Sequence, residues 1–321
     1  EVDLPRFFDE LRAGGISPNL ASLIGHNSVR RAAMGTEERD PTPDELARME
    51  TLVGEAMRAG AVGLSTGLIY VPGTYAKTEE LIEMAKVVSK FGGIYASHIR
   101  GEGKELAESI EEAIAIGEKG GLPVEIFHLK AAYQPGWGKL MLQAGDKIEQ
   151  ARARGVDVAA DIYLYTAGGT GVEAMIPSWA FEGGIQKLRE RLNDQAMRKR
   201  LKKEIASGSP GWWNIVEAAG SWENIVLVNA QNKENARFEG KTFVQISKEW
   251  NKEPADAAFD IVLQAQGRAM ALYHMMSEED IETALRNENV ELPAGRLEST
   301  NREFTLLNDL WQEGNAPWKV W

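Results

Sequence analysis

Short apolar runs alternate with amphipathic helical segments through the first half of the chain, and that rhythm constrains the fold more than any other feature. The runs are PNLASLIGH (18–26), AVGLSTG (61–67), GIYASH (93–98), PVEIFHL (123–129) and VDVAADIYLY (156–165). Between them, segment 44–58 carries Leu46, Met49, Leu52, Val53, Ala56 and Met57 at three- and four-residue spacing, the stripe of a helix that buries one face. Thr42 is placed to cap this helix, Pro43 suits its first turn, and Glu45 closes a capping box. Segments 78–91 and 104–119 repeat the pattern, and the second ends in a basic turn followed by Gly120 and Gly121. One strand and one helix every roughly 30–40 residues is the signature of βα units on a parallel sheet.

The length, 321 residues, fits one α/β barrel. A net charge of −12 argues against a nucleic acid or an anionic membrane as partner, because both are polyanions. No run approaches the ~18 apolar residues of a membrane span. The absence of cysteine excludes disulfides and thiolate metal sites, and leaves the cytoplasm as the default compartment. Because the sequence opens on Glu1, it is expected to be a processed, trimmed or partial product. The rhythm breaks after residue 166. The expected organisation is barrel βα units over 1–171, an inserted subdomain over 172–245, a return to the barrel over 246–290, and an unassigned tail over 291–321.

The chain has only four histidines, and two of them, His98 and His128, end consecutive strand-like runs. In a parallel α/β barrel the C-terminal ends of the strands carry the functional side chains. Neighbouring strands lie about 4.8 Å apart, so two imidazoles on adjacent ends can share one ion. Neutral imidazole suits zinc and similar divalent metals. The alternative is that each is a hydrogen-bonded rim residue. Of the nearby carboxylates, Asp161 ends its own run near the same rim and is the expected metal ligand or base, an orienting role being the alternative. Glu102 follows His98 by four positions, and Glu125 precedes His128 by three and should face away. Lys130, two residues beyond His128, faces the same side and can pair with a substrate carboxylate. Tyr70 lies in a rim loop where it can carry an acyl group or simply pack. His26 can reach the pocket or bond to a neighbouring loop, and His274 reads as structural.

At these residues the chain resembles the N-acyl-D-amino-acid deacylases (D-aminoacylases) of the metal-dependent amidohydrolase superfamily. The matching stretches run in order: SLIGHNSVR, GAVGLSTGLIYVPGTYA, GGIYASHIRGEG, EIFHLKAAYQPGWGK, DIYLYTAGGTG, AAGSWENI, GKTF and YHMMSEED. The resemblance implies a (β/α)8 TIM-like barrel with an inserted subdomain after the seventh strand. It implies zinc, with His98 and His128 as ligands at the ends of the fifth and sixth barrel strands. It also implies that Lys130 and Tyr163 or Tyr165 help hold the substrate carboxylate or the reacting carbonyl. Tyr70 and Arg100 complete the expected substrate-binding set.

The family also carries a His-x-His pair on its first strand, a Cys or Glu ligand on its second, and a catalytic Asp in a Ser-Asp phrase on its eighth. None of the three phrases occurs here. The sequence is therefore expected to cover the middle of such an enzyme, with weak or no turnover by itself. A completing segment or a second copy is the expected source of the remaining ligands. The expected reaction is removal of the acyl group from an N-acyl-D-amino acid. The alternatives are an amidohydrolase acting on a cyclic amide or dipeptide, and a non-catalytic barrel fragment serving as a binding or assembly partner.

Overall fold

The computed structural model describes residues 4–17, 20–209, 211–265 and 268–286. The expected tail over 291–321 lies outside the described residues. The first half builds a parallel sheet of five strands in chain order: β1 (Ile24–Gly25), β2 (Gly63–Gly67), β3 (Ile94–His98), β4 (Val124–Ile126) and β5 (Val158–Ala160). The helices of this half are α1 (Leu4–Gly14), α2 (His26–Met34), α3 (Pro43–Arg58), α4 (Thr78–Ser89), α5 (Leu106–Gly120) and α6 (Leu140–Ala153). The capping box on α3 forms as its sequence requires, with Thr42 and Glu45 each accepting from the other's backbone N–H. Gly121 ends α5 in the left-handed conformation that glycine adopts at low cost.

The strand register explains why this sheet is the wall of a barrel. Leu64, Tyr95, Val124 and Val158 lie side by side in one row. They belong, with residues of α2 to α6, to one buried apolar core. The row on the opposite face is Ser65, Ala96, Glu125 and Ala159, with Gly67 beside His98 one pleat further on. A sheet packed by helices on both faces would be apolar on both. Here one face is apolar and the other small and polar, the composition of a lumen that ends in a functional rim. The hydroxyls on the apolar face are satisfied: Thr66 bonds the Tyr95 hydroxyl and the Ser97 hydroxyl, both at 2.9 Å.

The second half builds a three-stranded antiparallel sheet, β6 (Ala167–Gly171), β7 (Ile225–Asn229) and β8 (Met270–His274), with β8 in the centre. With it belong α7 (Ile185–Asn193), α8 (Gln195–Ser207), α9 (Ile215–Ala218), α10 (Phe243–Trp250) and α11 (Pro254–Gln264), while α12 (Glu278–Arg286) packs back on α6 of the first half. Apolar side chains from Val172 through Met276 form a second core, which draws on both sides of the boundary expected at residue 245.

The candidate rim site

The rim is assembled from the ends of four adjacent strands. His98 is the last residue of β3, while His128 lies two residues past β4 in a turn at φ +43°. That conformation is costly for a residue with a Cβ and is kept where the surroundings enforce it. The enforcement here is hydrogen bonding to both neighbouring strands. Phe127 N–H donates to Ser97 O at 3.0 Å, Leu129 N–H donates to Asp161 O at 2.7 Å, and His128 N–H donates to the Asp161 carboxylate. Asp161, expected as ligand or base, accepts from the backbone of the His128 turn, and the carboxylate grouped with the two imidazoles is Glu102. The Glu102 carbonyl accepts from Ala132 N–H at 2.7 Å, which ties the loop after β3 to the loop after β4.

His98 Nδ1 lies 2.9 Å from His128 Nε2, and Glu102 Oε1 lies 3.7 Å from His98 Nδ1 and 3.3 Å from His128 Nδ1. Metal–nitrogen and metal–oxygen bonds of about 2.0–2.2 Å place tetrahedral ligand atoms about 3.3 Å apart. One nitrogen from each imidazole and one Glu102 oxygen lie within 4.8 Å of one another, close enough to gather round one divalent cation with a small inward shift. Among the described residues they are the group of His, Asp and Glu side chains whose donor atoms converge within 4.8 Å. His98 Nε2 is buried without a hydrogen-bond partner, while Nδ1 is the ring nitrogen that faces His128 and Glu102.

Lys130 is buried and its Nζ lies 2.5 Å from Glu102 Oε1 and 2.7 Å from His128 Nδ1. An ammonium only donates, so His128 Nδ1 accepts, His128 Nε2 donates to His98 Nδ1, and His98 keeps its proton on the orphaned Nε2. Burial pushes the His98 imidazole down to about 3, which keeps it neutral. Burial would raise the Glu102 carboxyl, but Lys130 and the two imidazoles outweigh it and hold it below the usual carboxylate range. Burial lowers the Lys130 ammonium against the pull of Glu102, and it raises the Asp161 carboxyl.

Aromatic rings line the rim in an arc. Tyr70 lies 5.4 Å from His98 and Tyr163 lies 6.4 Å from His128, centroid to centroid. The Lys130 ammonium sits 5.4 Å from the centre of the Tyr163 ring. Tyr165 is 6.4 Å beyond Tyr163 and 69% exposed. Burial raises the Tyr70 and Tyr163 phenols, so both remain protonated donors. Arg100 is not brought to this cluster: its guanidinium pairs twice with Glu112 at 2.8 Å and donates to the carbonyls of Thr74 and Ala76. His26 opens α2 and is fully buried against Glu80, which also pairs with Arg30. His274 is exposed at the end of β8.

No family model matches the chain. It is 42% identical over 164 residues to the D-aminoacylase of Alcaligenes xylosoxydans xylosoxydans, a match covering 51% of this chain and 34% of that protein. Among solved structures it resembles the N-acyl-D-glutamate deacylase of Bordetella bronchiseptica, complexed with zinc and a phosphonate that mimics the tetrahedral intermediate. The TM-score is 0.67 at 27% identity, over 88% of this chain and 49% of that one. A D-aminoacylase described as defining a novel subset of amidohydrolases matches with TM-score 0.65 at 28% identity, over 87% of this chain and 48% of that one. The chain thus spans about half the length of the solved relatives, and its match spans about a third of the curated one. The fold is of the amidohydrolase type of α/β barrel, of which the described residues build five parallel strands. Across the matched region, the chain is a relative of the N-acyl-D-amino-acid deacylases.

Proposed function

We propose that the chain carries the rim of a zinc-dependent deacylase that hydrolyses the amide bond of N-acyl-D-amino acids in the cytoplasm. The observation that carries the reading is the convergence of His98, His128 and Glu102 at the ends of β3 and β4. When bound there, zinc supplies polarisation of the substrate carbonyl and a water of lowered pKa. His98 and His128 would hold it as neutral imidazoles and Glu102 as a carboxylate, three protein ligands with room for a fourth position. Asp161 fixes the direction of the His128 ring through the backbone. Lys130 and the Tyr163 phenol supply a cation and a hydrogen-bond donor for the substrate carboxylate, and the Tyr70 ring walls the acyl side.

The test combines metal content with ligand protection. Wild-type protein takes up about one zinc per chain, and His98→Ala or His128→Ala loses it while circular dichroism stays unchanged. An N-acetyl-D-amino acid raises the melting temperature of the zinc-loaded protein, and its L enantiomer does not. A folded wild type that binds no zinc, or equal protection by both enantiomers, overturns the reading. No helix among the described residues is long and apolar enough to cross a membrane.

A further inference from the structure

We propose that Lys130 is a built-in cation at the rim, holding the Glu102 carboxylate that zinc needs and leaving when zinc binds. The inference rests on the zinc reading above and concerns how the site is filled. Two of the three converging side chains already hold a positive charge in common. The Lys130 ammonium contacts Glu102 Oε1 and His128 Nδ1, at 2.5 and 2.7 Å. The negative charge it neutralises on Glu102 is the one a divalent ion at this site would use, and its second contact, on His128 Nδ1, keeps it beside the same ring. A buried carboxylate at 2% exposure without a cation is strongly unfavourable, so some positive group must stand beside it in either state.

The lysine tether suits an exchange. Four methylenes let Nζ swing away, and the Tyr163 ring, 5.4 Å from Nζ, lies beside it. Zinc entering the site therefore has to displace the ammonium, which keeps its proton and is released toward the lumen. There it becomes available to an anionic substrate group. The occupants exchange one for one, and no bond of the chain is made or broken.

Zinc chloride titration by calorimetry, together with melting of the metal-free protein, tests the exchange. Lys130→Met removes the competing cation, and zinc affinity rises by about tenfold or more, the size of one charge-assisted hydrogen bond. Its metal-free form melts lower than wild type, and zinc raises its melting temperature by more than it raises the wild type's. Lys130→Arg, which keeps the charge, gains no zinc affinity. If Lys130→Met does not fold without metal, refolding it with zinc present recovers it, and failure to recover overturns the exchange. Equal or weaker zinc binding by Lys130→Met also overturns it, while wild-type uptake leaves the proposed function standing. Uptake by Lys130→Met alone supports the exchange and counts against zinc as the wild type's working metal. Uptake by neither overturns both.

Discussion

At the scale of single residues, the sequence marked the two imidazoles and left their carboxylate ambiguous. His98 and His128 stand out because each ends a strand-like run. Alternation along a strand predicts where a residue points only while the strand lasts, and β4 ends at Ile126. The left-handed turn at His128 then re-aims the backbone, so counting in twos loses the geometry beyond that point. Glu102 reaches the site because its loop is tied to Ala132, a tertiary hydrogen bond that spacing does not reveal. The positioning role of Asp161 can be checked directly. Asp161→Ala leaves the His128 N–H without its acceptor and should cost about 1–3 kcal/mol in urea unfolding, with weaker zinc uptake. Asp161→Asn keeps an acceptor oxygen and should lose less of both.

His98 also sets a pH dependence. Its folded value is pushed from 6.5 down to about 3, so below pH 6.5 the unfolded chain takes up a proton that the folded one refuses. Its contribution to stability is therefore full above about pH 6.5 and declines as pH falls toward 3. Glu102, held below the usual 4.5, adds its own loss only under that value. Metal-free wild type should lose stability between pH 6.5 and 5 in urea titrations, and His98→Ala should flatten that interval. An unchanged slope in the variant would assign the dependence to another group.

At the scale of elements, helices with an apolar stripe and strands with branched side chains were legible, and the exceptions have local causes. The run ending in His26 shrinks to a two-residue strand, and His26 instead opens α2. The stretch 167–171 is rich in glycine, whose strand propensity is low, yet it forms β6. A Cβ on Gly168 would lie 2.8 Å from the terminal methyl of Met275 and 3.1 Å from the Tyr163 hydroxyl, so any side chain there would have to push both aside. The basic stretch at 185–206 reads as one helix, but it divides into α7 and α8 at Asp194, whose extended backbone and carboxylate cap α8 by accepting from Met197 N–H. Arg198, one turn into α8, then pairs with Asp256 and Asp260 of α11. The break is thus what aims α8 at its partner helix. Asp194→Ala should cost about 1 kcal/mol in chemical denaturation, and Asp194→Ser should restore most of it.

At the scale of the molecule, the βα rhythm predicted the parallel sheet but not how the rest of the chain would pack. Periodicity reports which face of an element is apolar and says nothing about which other element covers it. The structure answers with two cores. Leu64 sits in the first, between the parallel sheet and its helices, and Phe259 in the second, beneath the antiparallel sheet, both fully buried. Several of the links between the halves are single hydrogen bonds, such as Tyr75 to Ser178 O at 2.7 Å and Trp137 to Met275 O at 3.1 Å. Polar links of this kind are worth about 1 kcal/mol each, and the apolar link through α12, Ala284 packed on the first core beside α6, is a single small side chain, so together they are far less than either core. A chain of this size with two separate cores should therefore unfold in two steps. Calorimetry of the wild type should show two overlapping transitions. Leu64→Ala should lower one of them by the equivalent of about 2–5 kcal/mol, and Phe259→Ala should lower the other by about 3–5 kcal/mol. If both substitutions instead shift a single common transition by their full amounts, the two cores act as one cooperative unit, and the polar links couple them more strongly than their individual energies allow.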